Sequence, residues 1–307
     1  MIDAGIHRID AATYHADKLR DVPTLSSTLA RLVIDRSPLH AWTAHPRLNP
    51  DWEPSDSKTF DIGRAAHRAV LGDGADWVVI PDDLLAANGA ASTKAAKEFV
   101  SSARDAGLTP LKSAEAEQIE RMAEAARKAL DANRITLDPS RSEMTALAMV
   151  DGVWCRAMVD NAPEDPSLPL YDFKTTTNAS PDACLRAVMT YGYDMQAAHY
   201  MDTWKAATGQ ERAFRFIFQE KDAPYGVCVI ELGGLTMEMA RRKMRHAREV
   251  WRDCLTSGEW PGYPAGVHHV ELPEWMAERW LERETAMMDQ SRPSAAAIEA
   301  AMQWQAP

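Results

Sequence analysis

Two short runs of β-compatible residues, Glu143 to Val150 and Val153 to Asp160, are separated only by Asp151-Gly152. This pair constrains the chain more than any other feature. A two-residue hairpin turn needs positive φ at both positions, and Asp-Gly is among the few pairs that tolerate it. The runs are therefore expected to be adjacent strands. A Pro-rich loop, Asn161 to Pro169, leads to a third strand, Leu170 to Lys174, and a long helix is expected from about Pro181 to Ala207. Asp160 then ends one strand, and Asp172 and Lys174 lie near the end of its neighbour. Residues two apart on a strand share a face, so Asp172 and Lys174 project together while Phe173 turns into the core.

The flanks are mostly helical in pattern. Thr24 to Trp42 opens with hydroxyl residues suited to capping, carries Leu25, Leu29, Leu32 and Val33 at helical spacing, and is interrupted at Ser37-Pro38. His45 to Ser57 reads as a surface loop. A second helix runs from Phe60 through FDIGRAAHRAVL to the stop signal Gly72-Asp73-Gly74. Residues 91–107 and 113–131 read as helices, the second with a solvated acidic face. Two further strands, Ala213 to Gln219 and Gly226 to Leu232, precede a basic helix from Leu235 to about Thr256. A short Trp-rich helix beyond Pro273 gives way to a tail, residues 281–307, expected to be mobile.

The chain has 307 residues, 46% hydrophobic and 26% charged, which excludes collagen-like and wholly disordered classes. Its formal net charge of −11 argues against a protein that coats nucleic acid at large, though not against positive charge confined to one groove. Cys155, Cys184, Cys228 and Cys254 form no CxxC pair, so zinc-ribbon and iron–sulfur readings are disfavoured and reduced thiols are expected. No signal peptide and no apolar run near the ~18 residues of a membrane span are present. A soluble, cytoplasmic protein is the expectation.

Two carboxylates beside an ammonium group suit a hard cation such as Mg²⁺ or Mn²⁺, which polarises a phosphodiester and makes water a nucleophile near neutral pH. Lys174 would orient that water or offset developing charge. Asp-x-Lys on a strand is common in itself, and the surroundings make it informative. The long helix carries Gln196 and Tyr200, an i, i+4 pair on one face. The order of elements, with Asp-x-Lys on the third strand and the helix after it, resembles the PD-(D/E)XK (restriction-endonuclease-like) core, an α/β fold with a mixed central sheet flanked by helices.

Six ordered blocks sharpen that resemblance: FDIGRAAH at 60–67, Glu143, CRAMVD at 155–160, YDFKTT at 171–176, MQAAHY at 195–200, and Glu259-Trp260-Pro261 with the later Leu272-Pro273-Glu274-Trp275. Together they resemble the RecE-like exonucleases (exodeoxyribonuclease VIII type) over about residues 24–280. The resemblance implies a single domain over 1–280, with an N-terminal helical part (1–135) and a nuclease core (136–280). It implies that His67, Asp160, Asp172 and the backbone carbonyl of Phe173 ligate Mg²⁺, with Mn²⁺ able to substitute. Glu143 would serve a second metal or its water, Lys174 would be the catalytic lysine, and Gln196 and Tyr200 would contact substrate. The one departure is Asp172 where the family also uses Glu.

The resemblance further implies 5′→3′ hydrolysis of double-stranded DNA from its ends, 5′-mononucleotide products and a ring-shaped homo-oligomer. It implies a recombination role beside a single-strand annealing protein, in the cytoplasm of a bacterial host and encoded by phage or prophage. Two alternatives stay open at this point: a non-catalytic DNA-binding subunit that loads the annealing protein, and a site-specific endonuclease on the same core. His199 and the His268-His269 pair read as structural and surface residues, and most tryptophans as core. Arg241, Arg242, Lys243, Arg245, Arg248 and Arg252 are the densest basic run and a candidate phosphate contact. Ser26, Ser27 and Ser37 are weaker candidates near a DNA end.

Overall fold

A computed structural model describes residues 1–53, 61–72 and 76–291. The chain begins with β1 (Gly5–Arg8), α1 (Ala11–His15), α2 (Ser27–Asp35), α3 (Pro38–Ala44) and α4 (Asp61–Leu71). It continues through β2 (Trp77–Val79), α5 (Lys94–Asp105), β3 (Thr109–Leu111) and α6 (Ser113–Ala132). The central strands are β4 (Ser142–Val150), β5 (Val153–Asn161) and β6 (Leu170–Thr176), followed by α7 (Pro181–Tyr191) and α8 (Tyr193–Thr208). Next come β7 (Phe214–Glu220), β8 (Val227–Glu231), α9 (Gly234–Ser257) and α10 (Glu274–Ser291).

The β4–β5 turn forms as its sequence requires: Asp151 and Gly152 take φ of 49° and 79°, and Val150 pairs with Val153. Six strands form one mixed sheet in the order β1-β4-β5-β6-β7-β8. Only β6 and β7 are parallel, and α7 with α8 supplies the crossover between them. Side chains alternate across this sheet. Leu170, Phe214, Phe216 and Phe218 join the core formed with α2, α8 and α9, while Tyr171, Phe173 and Ile217 join the core formed with α4 and α6. The expected α/β core, helices on both faces of a mixed sheet, is the observed one.

Several local expectations change. The N-terminal part is not purely helical: β1 adds an edge strand beside β4, and β2 pairs with β3 in a separate parallel ribbon. These strands have three or four residues, too few for a period-2 pattern to stand out. The long helix after β6 is two helices, broken at Gly192, whose φ of 67° lies in the left-handed region. A Cβ there would meet Arg31 Cδ at 2.5 Å, so the break also admits the Arg31 stem.

The loop expected from His45 starts with a fully buried histidine, whose Nε2 lies 3.0 Å from the buried Asp17 carboxylate. Arg156 closes on the other Asp17 oxygen, also at 3.0 Å, and on Thr24 Oγ1 at 2.6 Å. Residues 54–57 of that loop, and Phe60, Asp73 and Gly74 of the flanking signals, lie outside the described residues.

Two compact units divide at Tyr263 and Pro264. In the second, α10 continues beyond residue 280 to Ser291, with no glycine or proline to interrupt it. Residues 292–307 of the expected tail lie outside the described residues. All four cysteines are free. No described helix is long and apolar enough to cross a membrane.

Candidate functional site

Strands β5 and β6 pair at Asn161 and Tyr171, and no further pair joins them. Beyond that point the strands diverge, and the Phe173 N–H is taken by the Asp160 carboxylate, Oδ2, at 2.7 Å. The splay brings Asp160 against Asp172 and Lys174, which share the opposite side of β6 from Phe173. The convergence expected from the Asp-x-Lys spacing is present, and its cause is the gap between strands.

Each remaining site residue comes from a different element. The β4–β5 ladder pairs Ser142 with Asn161 and Met144 with Val159, leaving Glu143 opposite Asp160. Glu143 takes φ of 52°, an uncommon conformation for a residue with a side chain. Helix α4 supplies His67, whose Nε2 lies 3.1 Å from Asp160 Oδ2 and whose Nδ1 lies 3.7 Å from Glu143 Oε1. The His67 ring also meets Phe173 edge-on, with centroids 6.5 Å apart.

Helix α8 supplies Gln196, which donates its amide N–H to Asp172 Oδ2 at 2.7 Å. Tyr200 is buried one turn further along α8 and packs edge-on against Phe214. The Gln196 amide N–H is thus engaged by Asp172, and Tyr200 is buried one turn away from it.

The electrostatics follow from burial and from crowding of like charge. Burial and the neighbouring Asp160 carboxylate push Asp172 up to about 6, against the attraction of Lys174. Burial also opposes ionisation of Asp160, but His67 and Lys174 outweigh it and lower its pKa. Burial would depress His67, yet Asp160, Glu143 and Asp172 together raise it. Lys174 is held above its ordinary value because Asp172 and Asp160 overcome desolvation, and its Nζ forms an ion pair with Asp172 Oδ1. Lys174 is therefore an ammonium at neutral pH, a donor and a positive charge rather than a base.

Hard oxygen donors that repel one another in a buried pocket fit a divalent cation, which would relieve the strain on Asp172. Among the described residues no three Asp, Glu, His or Cys side chains are already gathered as a ligand cluster. The Asp160 oxygens face His67 and the Phe173 N–H, and the Asp172 oxygens face Lys174 and Gln196.

One participant carried no sequence signal that singled it out. Tyr193 lies three residues before Gln196, and the Lys174 ammonium stands 4.8 Å from the centre of its ring. Tyr193 is anchored in turn by Phe216, with centroids 5.7 Å apart.

The basic run on α9 is largely neutralised. Arg241 pairs with Asp202, Arg242 with Glu238, Lys243 with Asp194, and the buried Arg248 with Asp151 and Asp202. Arg252 lies 3.6 Å from Asp253. Ser26 caps α2, and Ser37 bonds His40. His199 is fully buried against the Arg156 carbonyl, and His268 is exposed. Trp204 and Trp251 are core residues, whereas Trp275 and Trp280 are exposed.

Among solved structures, the chain is similar to a protein from Eubacterium rectale assigned as an exonuclease, with a TM-score of 0.56 at 13% identity, covering 87% of this chain and 96% of that one. A phage-related exonuclease from Haemophilus somnus 129PT gives a TM-score of 0.31 at 12% identity over 64% of this chain and 95% of that one. An alkaline exonuclease from Laribacter hongkongensis gives 0.26 at 12% over 66% and 96%. The first likeness shows a shared fold, and the other two bear no weight at those scores. No curated protein matches. The family model described as a PDDEXK-like domain of unknown function, DUF3799, matches residues 34–273, and the chain belongs to that family.

Proposed function

We propose that this chain is a Mg²⁺-dependent exodeoxyribonuclease of the RecE-like type, hydrolysing double-stranded DNA from its ends in the 5′→3′ direction. The observation that carries the reading is the meeting of Asp160, Asp172 and Lys174 where β5 and β6 part. Asp160, Asp172 and the Phe173 carbonyl would hold the ion, with His67 and Glu143 completing its surroundings. A bound divalent ion would supply Lewis-acid polarisation of the phosphodiester and acidify water.

The chain's own groups do the rest. The Lys174 ammonium orients the attacking water and offsets charge on the phosphoryl oxygens. Gln196 positions Asp172. His67 holds Asp160 in place from α4. Mn²⁺ is expected to substitute for Mg²⁺. The same resemblance that suggests this activity supports a ring-shaped homo-oligomer, a recombination role beside a single-strand annealing protein, and a phage or prophage origin.

The test uses a linear duplex blocked at one 5′ end and a closed circle, each incubated with protein and Mg²⁺. Degradation of the linear duplex from its free 5′ end alone, with the circle intact, is the expected result. Cleavage of the circle would assign an endonuclease, and binding without hydrolysis would assign a non-catalytic subunit.

A further inference from the structure

We infer that Tyr191 is a stacking platform for an unpaired nucleobase of the strand held at the active site; this rests on the nuclease reading above. Tyr191 is the last residue of α7 and is 55% exposed. Its ring lies 5.6 Å from that of Tyr193, tilted by 37°, and Tyr193 carries the Lys174 ammonium on its face. The exposed ring thus contacts the same Tyr193 ring that meets the Lys174 ammonium.

The platform is also held still. Arg31 Nη1 donates to the Tyr191 carbonyl at 2.8 Å, and the Arg31 stem fills the space beside Gly192 that any other residue's Cβ would occupy. Tyr193 is packed against Phe216 and Phe218. A tyrosine with a fixed backbone loses little freedom when something settles on its ring.

The occupant follows from what the neighbouring site would hold. A strand with one phosphate at Lys174 must place adjoining nucleotides alongside, and successive stacked bases advance about 3.4 Å along a strand. Tyr191, two ring contacts from that ammonium, falls within a few nucleotides of the phosphate. Every base has a π-face, so such a contact holds the strand without reading its sequence. A paired base inside a duplex has both faces covered, so the contact selects a base freed at an end.

The test measures steady-state hydrolysis of linear duplex with Mg²⁺ by the wild-type chain and by Tyr191→Ala, Tyr191→Phe and Tyr191→Trp. Parallel substrates carry an abasic site at each of the first few positions from the end. Tyr191→Ala is expected to raise KM about tenfold with kcat within twofold, and Phe or Trp should restore KM. At one position the abasic site should raise the wild-type KM by a similar factor and leave that of Tyr191→Ala unchanged. Melting curves of the variants should match the wild type, because the ring is exposed. Wild-type hydrolysis with an unaltered KM in Tyr191→Ala, or equal abasic penalties in both proteins, would overturn the stacking role alone. A wild-type chain that leaves linear duplex intact would overturn the nuclease reading and the platform with it.

Discussion

The Phe173 backbone N–H, which a continued β5–β6 ladder would pair with a carbonyl, donates to the Asp160 carboxylate at 2.7 Å. Asp160 thus both ends the strand pairing and stands in the resulting gap. These roles separate by substitution. Asp160→Asn keeps an acceptor for the N–H but removes the charge, whereas Asp160→Ala removes both. The alanine variant should be less stable than the asparagine variant by about 1–3 kcal/mol, the penalty of an unsatisfied polar group. Both should lose Mn²⁺ affinity. Denaturant melts and calorimetric titration check this, and equal stabilities would remove the structural role.

Gln196 is predicted to act through Asp172. Gln196→Leu should lower kcat at least tenfold while changing the KM for DNA less than threefold, because its amide is spent on the carboxylate. A large rise in KM with unchanged kcat would make it a substrate contact instead.

The contribution of His199 to stability should be lost with acid, opposite in sign to that of Asp172, whose raised pKa favours the folded protein as pH falls. Burial, with Arg248 and Arg156 nearby, holds its imidazole at about 3 against an ordinary 6.5. Between those values the unfolded chain takes up a proton that the folded chain refuses, so stability rises with pH across that window and is lost as pH falls. The contribution is a few kcal/mol. His199→Gln should flatten the pH dependence of the denaturant midpoint between pH 6.5 and 3. An unchanged slope would contradict this assignment; Asp17, whose pKa is lowered by His45 and Arg156 against the effect of burial, adds acid sensitivity only below its ordinary value of 3.8.

Arg241, Arg242 and Lys243 of α9 are predicted to contribute little to DNA binding, because each is paired within the chain. Replacing Arg241, Arg242 and Lys243 with alanine should leave the salt slope of duplex binding unchanged. It should reduce stability, chiefly because Lys243 neutralises Asp194, which is buried. A flatter slope would restore these residues as phosphate contacts.

What the sequence disclosed was local. Asp151-Gly152 sets its turn whatever surrounds it, and the spacing of Asp172 and Lys174 decides their shared face. The break at Gly192 was hidden because apolar residues at helical spacing, Cys184, Val188 and Met195, run on across it. The left-handed φ and the approach of Arg31, 161 residues away in sequence, explain the glycine. The Asp17, His45 and Arg156 network likewise joins segments far apart in the chain, and no local pattern marks it. The partners of the basic helix were hidden for the same reason: Arg241, Lys243 and Arg248 pair with residues on other elements.

That Asp160, Asp172 and Lys174 form one hydrolytic site is tested most directly by comparing wild type and Lys174→Ala on linear duplex DNA with Mg²⁺. Released nucleotides are counted, and Mn²⁺ binding is titrated in parallel. The prediction is that wild type releases mononucleotides while Lys174→Ala releases none and keeps Mn²⁺ affinity within a few fold. Hydrolysis by Lys174→Ala at near the wild-type rate would contradict it.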